Sequence, residues 1–332
     1  MVDGFDRAIH YLRISVTDRC NLRCRYCMPE EGLPSLDHDE ILHFDEIKRL
    51  VHIMAGLGVD RVRLTGGEPL VRKDIEHLAK AIKREKAIRF LGMTTNGILL
   101  EEKAQALLDA GVDGLNISLD TLDPERYRRL TRRDQFGEAW KGVQKALSLP
   151  FKSVKINSVL SPDSTPCDWL AVVALAKEYP MDVRLIEWMP MAGEEQGGVV
   201  RAEEALALIA ERFGPLTELP KTAAAGPAQY YEIAGFKGKV GMIPAISSAF
   251  CSSCNRVRLT ATGDLKLCLF YDSGISLKPM LRQGAGDEEI KEAILDAIAQ
   301  KPQQHHGKKE AAAAGMSCGN IARSHGMYEI GG

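Results

Sequence analysis

Six short runs of β-forming residues, each followed by apolar residues at three-to-four spacing, restrict most of this chain to a parallel α/β sheet. The runs are Leu12–Thr17, Arg61–Thr65, Arg89–Thr94, Gly114–Leu119, Val154–Val159 and Val183–Trp188. Between the first two, Phe44, Ile47, Leu50, Val51, Met54 and Ala55 recur as one face of a helix does. Glycine in AGLGVD and DAGVDG closes two such segments in the manner of a helix C-cap. Crossovers between parallel strands are right-handed, so consecutive units wind into a barrel. A closed barrel takes eight units. Six predict a partial, TIM-like (β/α)6 barrel with one open side.

Beyond a helix near Arg201–Phe213 the texture changes. PKTAAAGPAQ (220–229) reads as a linker or mobile loop. Tyr230–Met242 reads as an antiparallel pair about a Gly-rich turn, and RVRLTATGDLKLCLF as a hairpin turning near Thr262–Asp264. Residues 287–300 form an amphipathic helix, and the last thirty, ending in Gly331–Gly332, read as irregular. The expected division is a barrel over 1–219 and a C-terminal extension over 220–332.

Composition excludes several classes. The 332 residues carry a formal charge of −2 and are 45% hydrophobic, against a disordered chain or a dedicated nucleic-acid binder. The longest apolar run, Trp169–Ala176, is far short of a bilayer span, and MVDGFDRAIH lacks the basic and apolar regions of a signal peptide. A cytoplasmic location is expected, with neither membrane nor nucleic acid as partner. The basic run Arg126–Arg133 (RYRRLTRR) could suggest RNA; a solvated helix face or anion-guiding patch is the preferred reading.

Six of the eight cysteines fall into two trios, Cys20, Cys24, Cys27 and Cys251, Cys254, Cys268, while Cys167 and Cys318 stand alone as incidental small residues. In a reducing compartment such clusters indicate metal. The first trio follows the first strand at the end where barrels place their chemistry. Three cysteines leave one iron of a 4Fe–4S cube without a protein ligand; a three-cysteine zinc site or plain loop cysteines are the alternatives. Hairpin arithmetic returns Cys268 opposite roughly Arg256, beside Cys254, and strand alternation puts Cys254, Arg256 and Arg258 on one face. A structural zinc ribbon would want a fourth ligand, for which Cys318 is a poor candidate. An open cluster next to guanidinium groups suits an anionic substrate better.

Cys-x3-Cys-x2-Cys with Tyr26 before the last cysteine resembles the signature of radical S-adenosylmethionine (SAM) enzymes, and Gly66-Gly67-Glu68-Pro69 after the next strand resembles their strip for the methionyl amino group. Adding LRISVTDRCNLRCRYCMP, the C-x2-C-N-R-x-R pattern with its later cysteine, and the ending Met327-Tyr-Glu-Ile-Gly-Gly, the chain from about Tyr11 to Gly332 resembles the GTP 3′,8-cyclase family of molybdenum cofactor biosynthesis. The resemblance implies two 4Fe–4S clusters, with Cys20, Cys24 and Cys27 holding the first and Cys251, Cys254 and Cys268 the second. It implies SAM contacts from Tyr26, Gly67, Glu68, Ser118 and Met189. It assigns GTP to Arg13, Arg61 (in place of a frequent lysine), Arg63, Thr94, Lys155, Arg184, Arg256, Val257 and Arg258. Catalytic roles fall to Arg256, Arg258, Gly331 and Gly332.

The implied reaction is abstraction of the 3′ hydrogen of GTP by a 5′-deoxyadenosyl radical, followed by closure onto guanine carbon 8. A one-electron reductant, a homodimer and hand-off to a cyclic pyranopterin monophosphate synthase are also implied. Two positions depart from the family pattern. Ser161-Pro-Asp-Ser-Thr lacks a common Gly-Val-Asn, and Arg132 stands where a glycine is usual, so local loop shape there is in doubt. The competing readings are another radical SAM enzyme with an auxiliary cluster, such as a peptide or protein modifier, and a non-enzymatic zinc-ribbon protein.

Overall fold

The computed structural model describes residues 1–32, 36–189, 200–221, 226–247 and 250–304. In these, one sheet collects β1 (Tyr11–Ser15), β2 (Arg61–Thr65), β3 (Phe90–Thr95), β4 (Gly114–Ser118), β5 (Ser153–Leu160), β6 (Asp182–Glu187), β7 (Leu216–Glu218), β8 (Gln229–Ile233), β9 (Val240–Ile243), β10 (Arg256–Leu259), β11 (Asp264–Lys266) and β12 (Gly274–Ser276). The spatial order is β12-β11-β10-β1-β2-β3-β4-β5-β6-β9-β8-β7. The first six strands pair in parallel in sequence order, and no predicted boundary among them moves by more than two residues.

The C-terminal region departs from expectation. Both antiparallel pairs are present, Tyr231 opposite Val240 and Arg258 opposite Lys266. Yet each pair also lends a strand to the parallel sheet: β9 runs parallel to β6, and β10 parallel to β1. The parallel core therefore counts eight strands rather than six, an α/β architecture whose sheet is not closed. Strands β7 and β12 gave no usable periodicity at three residues each. Residues 220–229 connect the paired strands β7 and β8, with 222–225 outside the described residues.

Helices cover the outside: α1 (Phe44–Gly56), α2 (Ile75–Lys83), α3 (Leu100–Asp109), α4 (Pro124–Thr131), α5 (Phe136–Leu147), α6 (Pro166–Glu178), α7 (Ala202–Phe213), α8 (Lys278–Arg282) and α9 (Asp287–Ala299). Their starts follow local chemistry. Asp123 accepts from the amides of Glu125 and Arg126 with Pro124 at the first helical position, and Thr165 with Asp168 forms a capping box before Pro166. The apolar run Trp169–Ala176 lies on α6, with Trp169, Val172, Val173 and Ala176 at 0% exposure. Alternation sends Leu12, Val62, Leu91, Leu115 and Val257 to the helical layer, where all are buried. The residues between them face inward. None of the described helices is long and apolar enough to cross a membrane.

Helix α5 packs onto the turn after β3 closely enough that a Cβ at Gly142 would sit 1.9 Å from the Gly97 carbonyl oxygen. Gly142→Ala should therefore cost about 1–3 kcal/mol, the range for forcing extra volume into a packed contact. Urea unfolding of the purified protein measures it, and an unchanged midpoint would contradict the packing.

Candidate active site

The inward positions of four adjacent strands form two rows. The pairing Arg256–Tyr11–Arg61–Phe90 makes one, and Arg258–Arg13–Arg63–Gly92 the next. Three arginines of the second row thus stand side by side on β10, β1 and β2. Gly92 completes it because a Cβ there would lie 2.7 Å from an Arg63 guanidinium nitrogen. Across the cavity, Lys155 on β5 donates to Asp182 at 2.6 Å and to the Tyr230 hydroxyl at 2.9 Å, and Arg184 on β6 donates to Asn157 at 2.9 Å. Together these side chains enclose about 380 Å³, lined by Arg13, Arg61, Arg63, Lys155, Arg184, Arg256 and Arg258 with no acidic residue among the described lining.

Crowded burial of like charge has measurable consequences. Burial first, then Arg258, Arg63 and Arg256, pull the Arg13 guanidinium down to about 9, against the opposing pull of Tyr11. Burial and Arg256 lower Arg258 to about 10. Burial would raise Tyr11, but Arg63, which donates to its hydroxyl at 2.6 Å, together with Arg13 and Arg256 brings the phenol down to about 8. Arg184 is also lowered, chiefly by burial. Thr94 Oγ1, Arg184 Nη2 and Arg258 Nε are buried without a hydrogen-bond partner among the described residues. Such groups need a ligand or water to satisfy them. The cavity is built for a multiply charged anion.

Not every residue implied by the resemblance faces that cavity. Val257 is wholly buried in the outer core, on the face opposite Arg256 and Arg258, so only its backbone remains for a ligand. Thr94 lies beside the cavity, in register with the lining Asn116. Met189 lines it. Gly331 and Gly332, with Cys318, lie outside the described residues. Cys167 is exposed on α6, as an incidental cysteine can be.

The first cysteine loop begins just past the C-terminal end of β1. The Gly66-Gly67-Glu68 strip lies against its lead-in, the Gly67 amide donating to the Thr17 carbonyl and the Glu68 amide to the Arg19 carbonyl, both at 2.8 Å. A Cβ on Gly67 would fall 2.3 Å from the Arg19 oxygen, and Gly66 has φ +141°. Only glycine permits this approach. The Glu68 carboxylate accepts from the amides of Leu70 and Asn96 and from the Thr95 hydroxyl, which offset part of the burial that raises it to about 7. Tyr26 donates to Asp120 at 2.8 Å, and burial raises Asp120 to about 6. Ser118 ends β4 two residues before Asp120. Burial lifts the Cys20 thiol to about 11 and, with Cys20 beside it, Cys27 to about 12; Cys24 rises by burial and by Cys27.

The second trio stands at the other end of the same strand pair. Cys254 precedes β10, which runs parallel to β1, and the hairpin register extended from Arg258–Lys266 sets Cys268 across from Arg256. The surroundings differ in sign. Against the burial that would raise it, Cys254 is lowered by Lys301, Arg256 and Arg258. Neighbours that sequence reasoning missed hold this end. Lys301 is buried with its ammonium on the Leu267 carbonyl, and Arg7 donates to the Cys251, Pro302 and Gln303 carbonyls at 2.7–2.8 Å. Their contacts with this end run across more than thirty residues, which local sequence does not signal.

The three sulfurs of neither trio all lie within 4.8 Å of one another. Among the described residues, the one set of three His, Cys, Asp or Glu ligand atoms within 4.8 Å of one another is His38, Asp39 and His43. Thiolates sharing one zinc at about 2.3 Å would be that close, whereas ligands of different irons in a cluster need not be. The basic run over 126–133 is largely spent on internal pairs: Arg126 with Asp168 at 2.7 Å, and Arg128 and Arg129 with Glu125. Arg128 and Arg129 remain a solvated face.

Comparison with known proteins agrees with this geometry. The family model described as "Radical SAM superfamily" matches residues 14–176, and that described as "Molybdenum Cofactor Synthesis C" matches 181–307. A "GTP 3',8-cyclase" of Pelotomaculum thermopropionicum is 46% identical over 92% of this chain and 95% of its own. One from Syntrophomonas wolfei is 41% identical over the whole of both. "Molybdenum cofactor biosynthesis protein 1" of Bos taurus is 41% identical over 92% of this chain and 49% of its own. Among solved structures, Streptococcus suis SuiB bound to S-adenosylmethionine shares the fold at a TM-score of 0.58 and 17% identity, covering 89% of this chain and 67% of that one.

The cavity's field yields a spectroscopic expectation. Tyr11 should ionise near pH 8 in the ligand-free protein, seen as an ultraviolet phenolate signal missing from Tyr11→Phe. Inorganic triphosphate, by neutralising Arg63 and Arg13, should move that ionisation back toward the ordinary phenol range near 10. Because the folded value lies below the unfolded one, Tyr11 should add stability as pH rises from about 8 to 10. A phenol that titrates near 10 with or without triphosphate contradicts the reading.

Proposed function

Because the chain belongs to the GTP 3′,8-cyclase family of radical SAM enzymes, we propose that the seven-cation cavity between the two cysteine trios is where GTP is bound and cyclised between its carbon 3′ and guanine carbon 8. The enzyme is a lyase with SAM and two 4Fe–4S clusters as cofactors. In this reading Cys20, Cys24 and Cys27 hold the first cluster, and Cys251, Cys254 and Cys268 the second. When bound, the first cluster and SAM supply a 5′-deoxyadenosyl radical.

The protein's own residues bind, orient and exclude water. Arg13, Arg63 and Arg258, side by side in one row, offer forked donors to phosphate oxygens, which is why a nucleoside triphosphate fits better than a neutral peptide. Arg61 and Arg256 stack on Phe90 and Phe250 at 5.5 and 5.1 Å, which fixes their planes while leaving donors for the substrate. Lys155 is held by Asp182, Arg184 by Asn157, and the Thr94 hydroxyl has no partner among the described residues. Tyr26, Gly67, Glu68, Ser118 and Met189 would line the SAM side, with Gly67 giving backbone approach and Glu68 bracing the strip. The single observation carrying the proposal is the unbroken arginine row between two sulfur trios at opposite ends of β1 and β10.

A one-electron reductant, a homodimer, hand-off of the product to a cyclic pyranopterin monophosphate synthase and a cytoplasmic location complete the proposal. So does a division of labour near residue 219, with residues 1–219 carrying SAM chemistry and 220–332 the second cluster and the tail.

Anaerobic incubation of reconstituted, reduced protein with SAM and GTP tests the assignment. Cys24→Ala should abolish 5′-deoxyadenosine formation, whereas Cys268→Ala should keep much of it and lose the cyclised nucleotide; equal loss of both refutes the division between clusters. 5′-Deoxyadenosine formed without GTP consumption by the unaltered protein would favour a peptide or protein modifier. Removing Gly331 and Gly332 should leave GTP affinity within about threefold, or roughly 0.7 kcal/mol, and remove product. Undiminished turnover would exclude the tail from the reaction.

A further inference from the structure

Arg132 ends α4 in the left-handed conformation, φ +55° and ψ +25°, where a side chain is disfavoured and glycine is at ease. Its side chain offers the compensation. One guanidinium nitrogen, Nη1, donates to the Arg23 carbonyl at 3.0 Å and to the Met28 carbonyl at 3.1 Å, while Nε lies 3.7 Å from the Glu30 carboxylate. Residues 23 and 28 bracket Cys24 and Cys27. A single half-buried cation therefore spans the segment that carries two of the three sulfurs.

The rest of the contact is backbone. The amides of Arg23 and Arg25 donate to the Thr131 and Leu130 carbonyls at 3.0 Å each, so the C-terminal turn of α4 seats the loop that Arg132 then grips. The loop at 161–165 reaches the same segment, through Asp163 and Arg25 at 3.2 Å. This second contact is solvent-exposed and adds little. Both departures from the family pattern thus meet the first cysteine loop, rather than only reshaping distant turns.

We propose that Arg132 is a positioning residue that clamps the Cys20–Cys27 loop from both sides of Cys24 and Cys27 and holds its sulfurs in place for the first iron–sulfur cluster, at the expense of a strained backbone. The inference rests on the reading that this trio is a cluster site. Strain and clamp act in opposite directions when the side chain is removed. Glycine relieves the left-handed penalty and stabilises the bare fold. It also frees two loop carbonyls.

The test uses full-length Arg132→Gly and Arg132→Asn, asparagine also tolerating the left-handed region, beside the unaltered protein. Iron content comes first: about eight iron atoms per chain, as two cubes require, shows both sites filled in the unaltered protein, and about four would fault the cluster assignment and not the clamp. Iron loss to a ferrous chelator is then timed without oxygen, and heat unfolding of each metal-free chain is recorded. The expected result is at least threefold faster loss of about half of the iron in both variants, with metal-free unfolding midpoints equal to or above the unaltered one. Unchanged iron loss overturns the proposal. So does faster loss accompanied by a lower metal-free midpoint, which would make Arg132 a general scaffold residue.

Discussion

The parallel pairing of β10 with β1 is the contact on which the site depends. It brings Arg256 and Arg258, some 240 residues away in sequence, into register with Tyr11 and Arg13. Strand direction then follows. The loop after β1 opens at one end of the cavity, and the loop before β10 at the other. Two sulfur trios are thereby set apart by about the length of a short strand, with side chains of one sign between them. Were β10 paired antiparallel, both trios would fall at the same end, and Arg256 and Arg258 would exchange rows.

That pairing concentrates cations beyond what a folded chain accepts without compensation. Seven cationic side chains line the cavity, and the Asp182 carboxylate is occupied by Lys155. The fold answers with aromatic rings and amides in place of acids: Phe90 and Phe250 under two guanidinium groups, Asn157 and the Tyr11 phenol against two more. Neutral partners hold geometry without cancelling charge. An acidic partner would have held Arg63 or Arg184 as well, but would have discharged the site before any substrate arrived.

Much of this was legible in the residues. The period of the apolar pattern located the six barrel strands, and the cysteine spacing with Gly66-Gly67-Glu68-Pro69 located both trios and the family. The arithmetic that set Cys268 opposite Arg256 rests on a local turn, and local turns are readable. What escaped is non-local. Nothing near Arg256 signals that its strand joins β1, and nothing near Val240 signals β6, so an eight-stranded parallel core read as six plus an antiparallel appendage. Arg7 and Lys301 were invisible for the same reason. Val257 shows the converse limit: motif membership brought it in, while strand alternation turns it away from the cavity.

The two cysteine loops place the same residue type in two different fields. Around Cys24 the neighbours are the other two sulfurs and Asp120, which is half-buried and hydrogen-bonded to Tyr26, and each thiol is driven toward its neutral form. Around Cys254 they are Lys301, Arg256 and Arg258, and the thiol is driven the other way. The protein groups around Cys254 therefore favour negative charge, and those around Cys24 oppose it. The protein's fixed charges thus set the two cysteine loops apart in sign.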